Sequence, residues 1–122
     1  MTHQINWIEV ATENPQGSRE FFNKVFGWES QPSPMMPDYF IFNPGAGPQG
    51  AIHGHMQNGP RMTVYLYAAD ITAKLAEVEA AGGKVITQKM FISDAVGNIA
   101  HFADPNGNTF GLWDREGFGT RP

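Results

Sequence analysis

The sequence predicts an α+β domain whose two halves follow one plan: a strand, an amphipathic helix, then further strands. Three observations carry this. Period-two alternation recurs in short segments bounded by Gly, Pro, Asn and Asp, as half-buried strands do. Two stretches place apolar residues at helical spacing between a polar N-cap and a glycine stop. The same order of elements occurs twice within 122 residues, a length that suits one domain burying roughly 60 to 70 per cent of its unfolded surface without disulfides.

The first strand is INWIEVAT, in which Ile8 and Val10 alternate with Trp7, Glu9 and Ala11. In the helix that follows, Asn14 is the N-cap, Pro15 suits the first turn, Phe21, Phe22, Val25 and Phe26 form the stripe, and Gly27 stops the run. QPSPMMPD reads as a connector, after which YFIFN and GAIHGHM are two short strands joined through PGAGPQ. The second half opens with the strand MTVYLYA. Asp70 then caps a helix with Ile71, Leu75 and Val78 on one side, and Gly82 and Gly83 end it. KVITQKMFI, GNIAHFA and, after the turn DPNG, NTFGLWD complete the half as strands. Laying Gly27 on Gly83 matches Glu9 with Tyr65 and Val10 with Leu66, and AIHGH is placed on TFGLW.

Composition narrows the functions. The chain has no cysteine, which excludes disulfide scaffolds, thiolate metal sites and cysteine nucleophiles. Eight Lys and Arg against twelve Asp and Glu give a net charge of −4, and the basic residues are scattered, so a nucleic-acid partner is not expected. No apolar run approaches the roughly 18 residues of a membrane span, and MTHQINWIEV lacks signal-peptide character. A soluble cytoplasmic protein is the expectation, with disorder confined to the tail EGFGTRP.

INWIEV, FFNKVFGW, ADITAKLAEVEAAGGKV and ADPNGNTFGLW together resemble the glyoxalase, bleomycin-resistance and extradiol-dioxygenase superfamily, the vicinal oxygen chelate proteins, over roughly residues 4 to 114. The resemblance implies one domain over residues 1–122, of two tandem βαβββ modules, about 4–58 and about 61–114, followed by a short tail, 115–122. It also implies a mixed sheet curled around a cavity and, with the apolar edges of half-open sheets, a homodimer.

If the helices cover Ile8 and Val10 (through Phe21, Val25 and Phe26) and Val64 and Leu66 (through Leu75 and Val78), the opposite parity faces the cavity. Trp7, Glu9, His53, His55, Thr63, Tyr65, Tyr67, Gly111 and Trp113 are the expected small-molecule-binding residues. Metal-dependent members of the superfamily hold a divalent ion with His, Gln or Glu at four positions, which the resemblance carries onto Trp7, His53, Thr63 and Gly111. Only His53 is a good ligand, since indole N–H has no free lone pair and glycine has no side chain. The favoured reading is a ligand-binding protein without that metal, acting by sequestration or by metal-free chemistry with Glu9, and with His53, as candidate catalytic groups. The alternative is a lyase, isomerase or dioxygenase holding Zn, Ni, Mn or Fe with His53, His55 and Glu9.

Each candidate also has a plainer reading. Desolvation beside Trp7 is expected to raise the Glu9 pKa towards that of a general base, yet a strand carboxylate is more often solvated or paired, here with Arg61 or Arg115. His53 would then line the pocket and His55 its rim. His101 reads as a strand histidine satisfying a local hydrogen bond, and His3 as part of a mobile terminus. Trp7, Tyr65, Tyr67 and Trp113 could stack on a flat ligand or simply pack.

Overall fold

The computed structural model describes residues 3–55 and 61–115. The elements run β1 (Ile5–Ala11), α1 (Pro15–Phe26), β2 (Glu29–Pro32), β3 (Tyr39–Asn43), β4 (Gln49–His53), β5 (Arg61–Tyr67), α2 (Ile71–Ala80), β6 (Lys84–Ser93), β7 (Gly97–Ala103) and β8 (Thr109–Asp114). This is the α+β order of two βαβββ modules. The tail EGFGTRP lies outside the described residues, as does Met56 of GAIHGHM. Among the described residues no helix is long and apolar enough to cross a membrane. The chain divides into two compact units between Val64 and Tyr65, with the residues before Asn6 grouped with the second.

In the first unit the strand order is β2-β3-β4-β1. β1 runs parallel to β4, with Glu9 opposite Ala51 and Ala11 opposite His53. β3 is antiparallel to β4 and sets Tyr39 opposite His53. β2 begins at Glu29 and takes in Gln31 and Pro32, the first two residues of the stretch whose prolines argue for a connector; Pro32 is tolerated there because an edge strand can do without one N–H. The helix forms as its caps direct: Asn14 Oδ1 accepts the Gly17 N–H at 2.9 Å, and Gly27 takes the left-handed conformation at φ 73° that a side chain would disfavour.

One packing expectation is corrected in this unit. Phe21, Val25 and Phe26 do not cover Ile8 and Val10; they are 54, 55 and 60 % exposed. The physical reason is Trp28, whose indole stacks on Phe42 at 4.7 Å and on Phe22 at 5.0 Å. The helix therefore meets the sheet through one aromatic ladder, beneath which Phe42 and Ile52 are buried. Trp28 fills the place that the apolar stripe was expected to take.

The second unit has the order β5-β8-β7-β6. Here the helix stripe behaves as expected at Ile71 and Leu75, which pack with Ala68, Ala100 and Leu112, and Leu66, Val85 and Phe102 close around them; Val78 and Val64 are not part of this cluster. Asp70 Oδ1 caps α2 by accepting the Ala73 N–H at 3.0 Å. Leu66 pairs with Leu112, and Leu112 with Ala100. On β5, β7 and β8 the even-numbered positions thus face α2, and Tyr65, Tyr67, Gly111, Trp113 and His101 project from the other side.

Candidate functional site

On the first unit the odd-numbered face of β1, β4 and β3 carries Trp7, Glu9, Ala11, Ala51, His53 and Tyr39, because strand residues alternate sides and the ladder sets these rows in line. Glu9 is the hub. Its Oε2 accepts from the Tyr39 hydroxyl at 2.8 Å and from the Trp7 indole Nε1 at 3.3 Å. Its Oε1 lies 3.3 Å from His53 Nε2. Burial pushes the Glu9 carboxyl up, but the His53 and Tyr39 hydrogen bonds, the charge His53 carries when protonated and the Trp7 hydrogen bond together outweigh it and hold the pKa below its ordinary value. The expected rise towards a general base is thus corrected: the same aromatic neighbours that desolvate the carboxylate also donate to it. Among the described residues its ion-pair partner is His53 rather than either arginine; Arg115 donates to the Ala95 carbonyl at 3.0 Å.

The two histidines of GAIHGHM have different tasks. His53 is 7 % exposed, and its Nδ1 accepts the backbone N–H of His55 at 3.1 Å. An accepting Nδ1 leaves the proton of neutral His53 on Nε2, the atom facing Glu9. His55 is exposed, because β4 ends at His53, and its Nε2 donates to the Pro37 carbonyl at 2.8 Å. The Gly54 N–H donates to the Asp38 carbonyl at 3.0 Å. Both bonds tie the Pro- and Met-rich connector to the end of β4. The rings form a row: Tyr39 stacks on His53 at 5.3 Å with an 18° tilt, and His53 meets His55 at 5.8 Å.

The second unit holds another cluster. Tyr65, 5 % exposed, meets His101 through its hydroxyl and Nε2 at 2.7 Å. Gly111 is opposite Tyr65 on one side and His101 on the other. A Cβ at Gly111 would collide with the Tyr65 ring, so the tyrosine occupies the space a side chain there would need. Trp113 is anchored by its indole N–H on the Val96 carbonyl at 2.6 Å, and Tyr67 packs edge-on against it at 6.1 Å. His3 Nδ1 donates to the Tyr67 carbonyl at 3.0 Å. Thr63 sits half-buried on the part of β5 that belongs to the first unit.

Strand register also corrects the match between halves. Glu9 pairs with Ala51 as Tyr65 pairs with Gly111, and Ala11 pairs with His53 as Tyr67 pairs with Trp113. Ala51 is therefore the counterpart of Gly111, and His53 that of Trp113, two residues away from the placement of AIHGH on TFGLW. Turn lengths differ between the halves, and aligning on them hid the offset. Buried Ile52 and Leu112 fall into line under the new match.

The superfamily's four-position donor set does not fit these residues: Trp7 Nε1 is a donor already directed at Glu9, and Tyr65 fills the space at Gly111. Among the described residues no three His, Cys, Asp or Glu side chains gather into a group able to hold a metal. Glu9 and His53 meet as a pair while His55 turns to Pro37. Two clefts in this unit lie apart from the pair. One, about 320 Å³, is lined by Val10, Ala11, Thr12, Ser18, Arg61 and Met62; the other, about 370 Å³, runs along Arg19, Trp28 and Ser30. Neither includes Glu9 or His53. The Glu9 cluster is a candidate by its chemistry, a network of polar side chains amid aromatic rings, rather than by cleft size.

Tyr39 is the site residue that sequence reasoning missed. The signal was present: if YFIFN and GAIH form a hairpin across the PGAGPQ turn, Tyr39 falls opposite His53.

Comparison with known proteins adds three findings. A family model described as a glyoxalase-like domain matches residues 7–113. The anthracycline biosynthesis proteins DauV of Streptomyces sp. (strain C5) and DnrV of Streptomyces peucetius are each 27 % identical over 125 residues, covering 88 % of this chain and 45 % of the relative. The chain thus spans a little under half the length of these curated relatives. Among solved structures, a hypothetical protein from Bacillus halodurans C-125 superposes with TM-score 0.73 at 10 % identity, covering 95 % of this chain and 96 % of its own. Methylmalonyl-CoA epimerase from Mycobacterium tuberculosis gives TM-score 0.68 at 12 % identity, covering 91 % and 87 %. Identities this low show a shared fold alone.

Proposed function

The chain belongs to the glyoxalase-like domain family, and from that premise we propose that it binds a small organic molecule through the Glu9, His53 and Tyr39 cluster without the superfamily's usual metal. The observation that supports this best is the state of Glu9. A partly buried carboxylate surrounded by three donors is organised to receive a ligand, whereas a pKa held below the ordinary range makes it a weak base. Binding is therefore preferred to proton abstraction. The relatives named for anthracycline biosynthesis point towards an aromatic ligand; the acyl-CoA of the epimerases is not carried over, because their likeness is one of fold.

The 3.3 Å approach of Glu9 Oε1 to His53 Nε2 is also a separation two ligands adopt on one ion, so the metal-dependent alternative has a geometric basis, though it requires the other His53 tautomer and loss of the His55 N–H bond to Nδ1. Metal analysis of tag-free protein purified without added metal separates the two. Substoichiometric metal, with a melting temperature that rises across a panel of aromatic metabolites, is the expected result; a ligand at 100 times its dissociation constant adds about 2.7 kcal/mol. Stoichiometric Zn, Ni, Mn or Fe that disappears in His53→Ala would overturn the metal-free reading.

A further inference from the structure

We infer that the Glu9 cluster recognises a hydrogen-bond donor on an aromatic ring, so that it selects a phenol over the corresponding carboxylate. This rests on the binding reading above and names the polarity of what is bound. The argument begins with lone pairs. Each carboxylate oxygen accepts about two hydrogen bonds. Oε2 of Glu9 receives two, from Tyr39 and Trp7. Among the described residues Oε1 receives only His53 Nε2, at 3.3 Å, and so has room for one more donor. The Glu9 side chain is 23 % exposed, enough for a ligand group to reach it.

Among the described residues, the side-chain donors beside Glu9 are already engaged. His53 directs its Nε2–H at Glu9, and its Nδ1 is taken by the His55 N–H. Trp7 directs its single N–H at Glu9. Arg19 is held by Ser30, Gln16 and the face of Phe40. Arg61 lines the separate cleft with Val10 and Ala11, and among the described residues the ion-pair partner of Glu9 is His53. An arriving carboxylate or phosphate would meet a negative charge whose donors all point inwards. A hydroxyl would complete Oε1. The row of rings ends at the exposed His55 imidazole, and an aromatic ring carrying that hydroxyl can stack there, continuing the series Tyr39, His53, His55.

The test uses three probes that share one ring system: 2-naphthol, 2-methoxynaphthalene and 2-naphthoate, titrated into the full chain at neutral pH and followed by NMR. A hydrogen bond to a charged acceptor is worth about 1.5 to 3 kcal/mol, so 2-naphthol should bind about tenfold or more tightly than either analogue. In Glu9→Gln the margin over 2-naphthoate should shrink about tenfold, because the amide removes the repulsion and brings donors of its own. Equal binding of all three, or tighter binding of 2-naphthoate, by the wild-type protein overturns the inference while leaving a small-molecule site in place. Failure of all three to bind sinks the inference and the binding reading together.

Discussion

At Glu9 the decisive quantity is the balance between burial and hydrogen bonding. Burial is the largest single influence and would raise the pKa, yet the donors on the carboxylate prevail. Tyr39→Phe removes the shortest of these hydrogen bonds, at 2.8 Å, and keeps the ring stacked on His53. The Glu9 pKa, followed by carboxyl-carbon NMR, should move up in this variant; an unchanged titration would show that the tyrosine hydroxyl contributes nothing. Much of this site was legible from the chain. Alternation alone placed Trp7 and Glu9 on one face and singled out His53. Partnership is not legible in the same way: alternation gives a residue's side of the sheet but not its opposite number, so it marks neither Tyr39 as a partner nor His53, rather than an arginine, as the ion-pair partner of Glu9. The separate roles of His53 and His55 were hidden for a related reason, since they depend on β4 ending at His53, a boundary that the run GAIHGHM does not announce.

Among the elements, α2 and α1 show what periodicity does and does not determine. The stripe Ile71, Leu75 and Val78 predicts the buried side of α2, and Leu75 is 3 % exposed at the centre of its cluster. Leu75→Ala should lower stability by about 2 to 5 kcal/mol in urea unfolding. The stripe on α1 looks stronger, with Phe21, Val25 and Phe26, yet these remain open because Trp28, just beyond the helix, takes the contact with Phe42. A periodic pattern reveals that a face is apolar, not which neighbour covers it. The strand pair β5 and β8 offers a sharper test. Gly111→Ala forces a methyl into the Tyr65 ring and should cost about 1 to 3 kcal/mol. Repeating it in a Tyr65→Ala background should remove most of that cost. Additive penalties would mean the glycine is needed for some other reason.

For the whole molecule, acid stability joins the two units in one measurement. Each carries a carboxylate held below its ordinary pKa. In the first unit it is Glu9. In the second it is Asp104, lowered chiefly by the Asn108 side-chain amide and also by the backbone N–H groups of Asn108, Asn106 and Gly107. A group whose folded pKa lies below its unfolded value stabilises the fold above the unfolded value, and that contribution is lost as pH falls through the folded one. Thermal unfolding should therefore be insensitive to pH above about 5 from these groups and fall away below it. Asp104 is half-buried, but its carboxylate makes its hydrogen bonds in a solvent-exposed turn and is screened there, so the larger part of the slope should belong to Glu9. Glu9→Gln cannot titrate. If the domain unfolds as one cooperative transition, its melting temperature should start lower at neutral pH, because His53 and Tyr39 lose a charged acceptor, and should then decline less between pH 5 and 3 than that of the wild type, about the window of a carboxylate. An equally steep acid slope in Glu9→Gln would remove Glu9 as its source. Two separate melting steps, with only one altered, would show that the units unfold independently and that this carboxylate stabilises its own module alone.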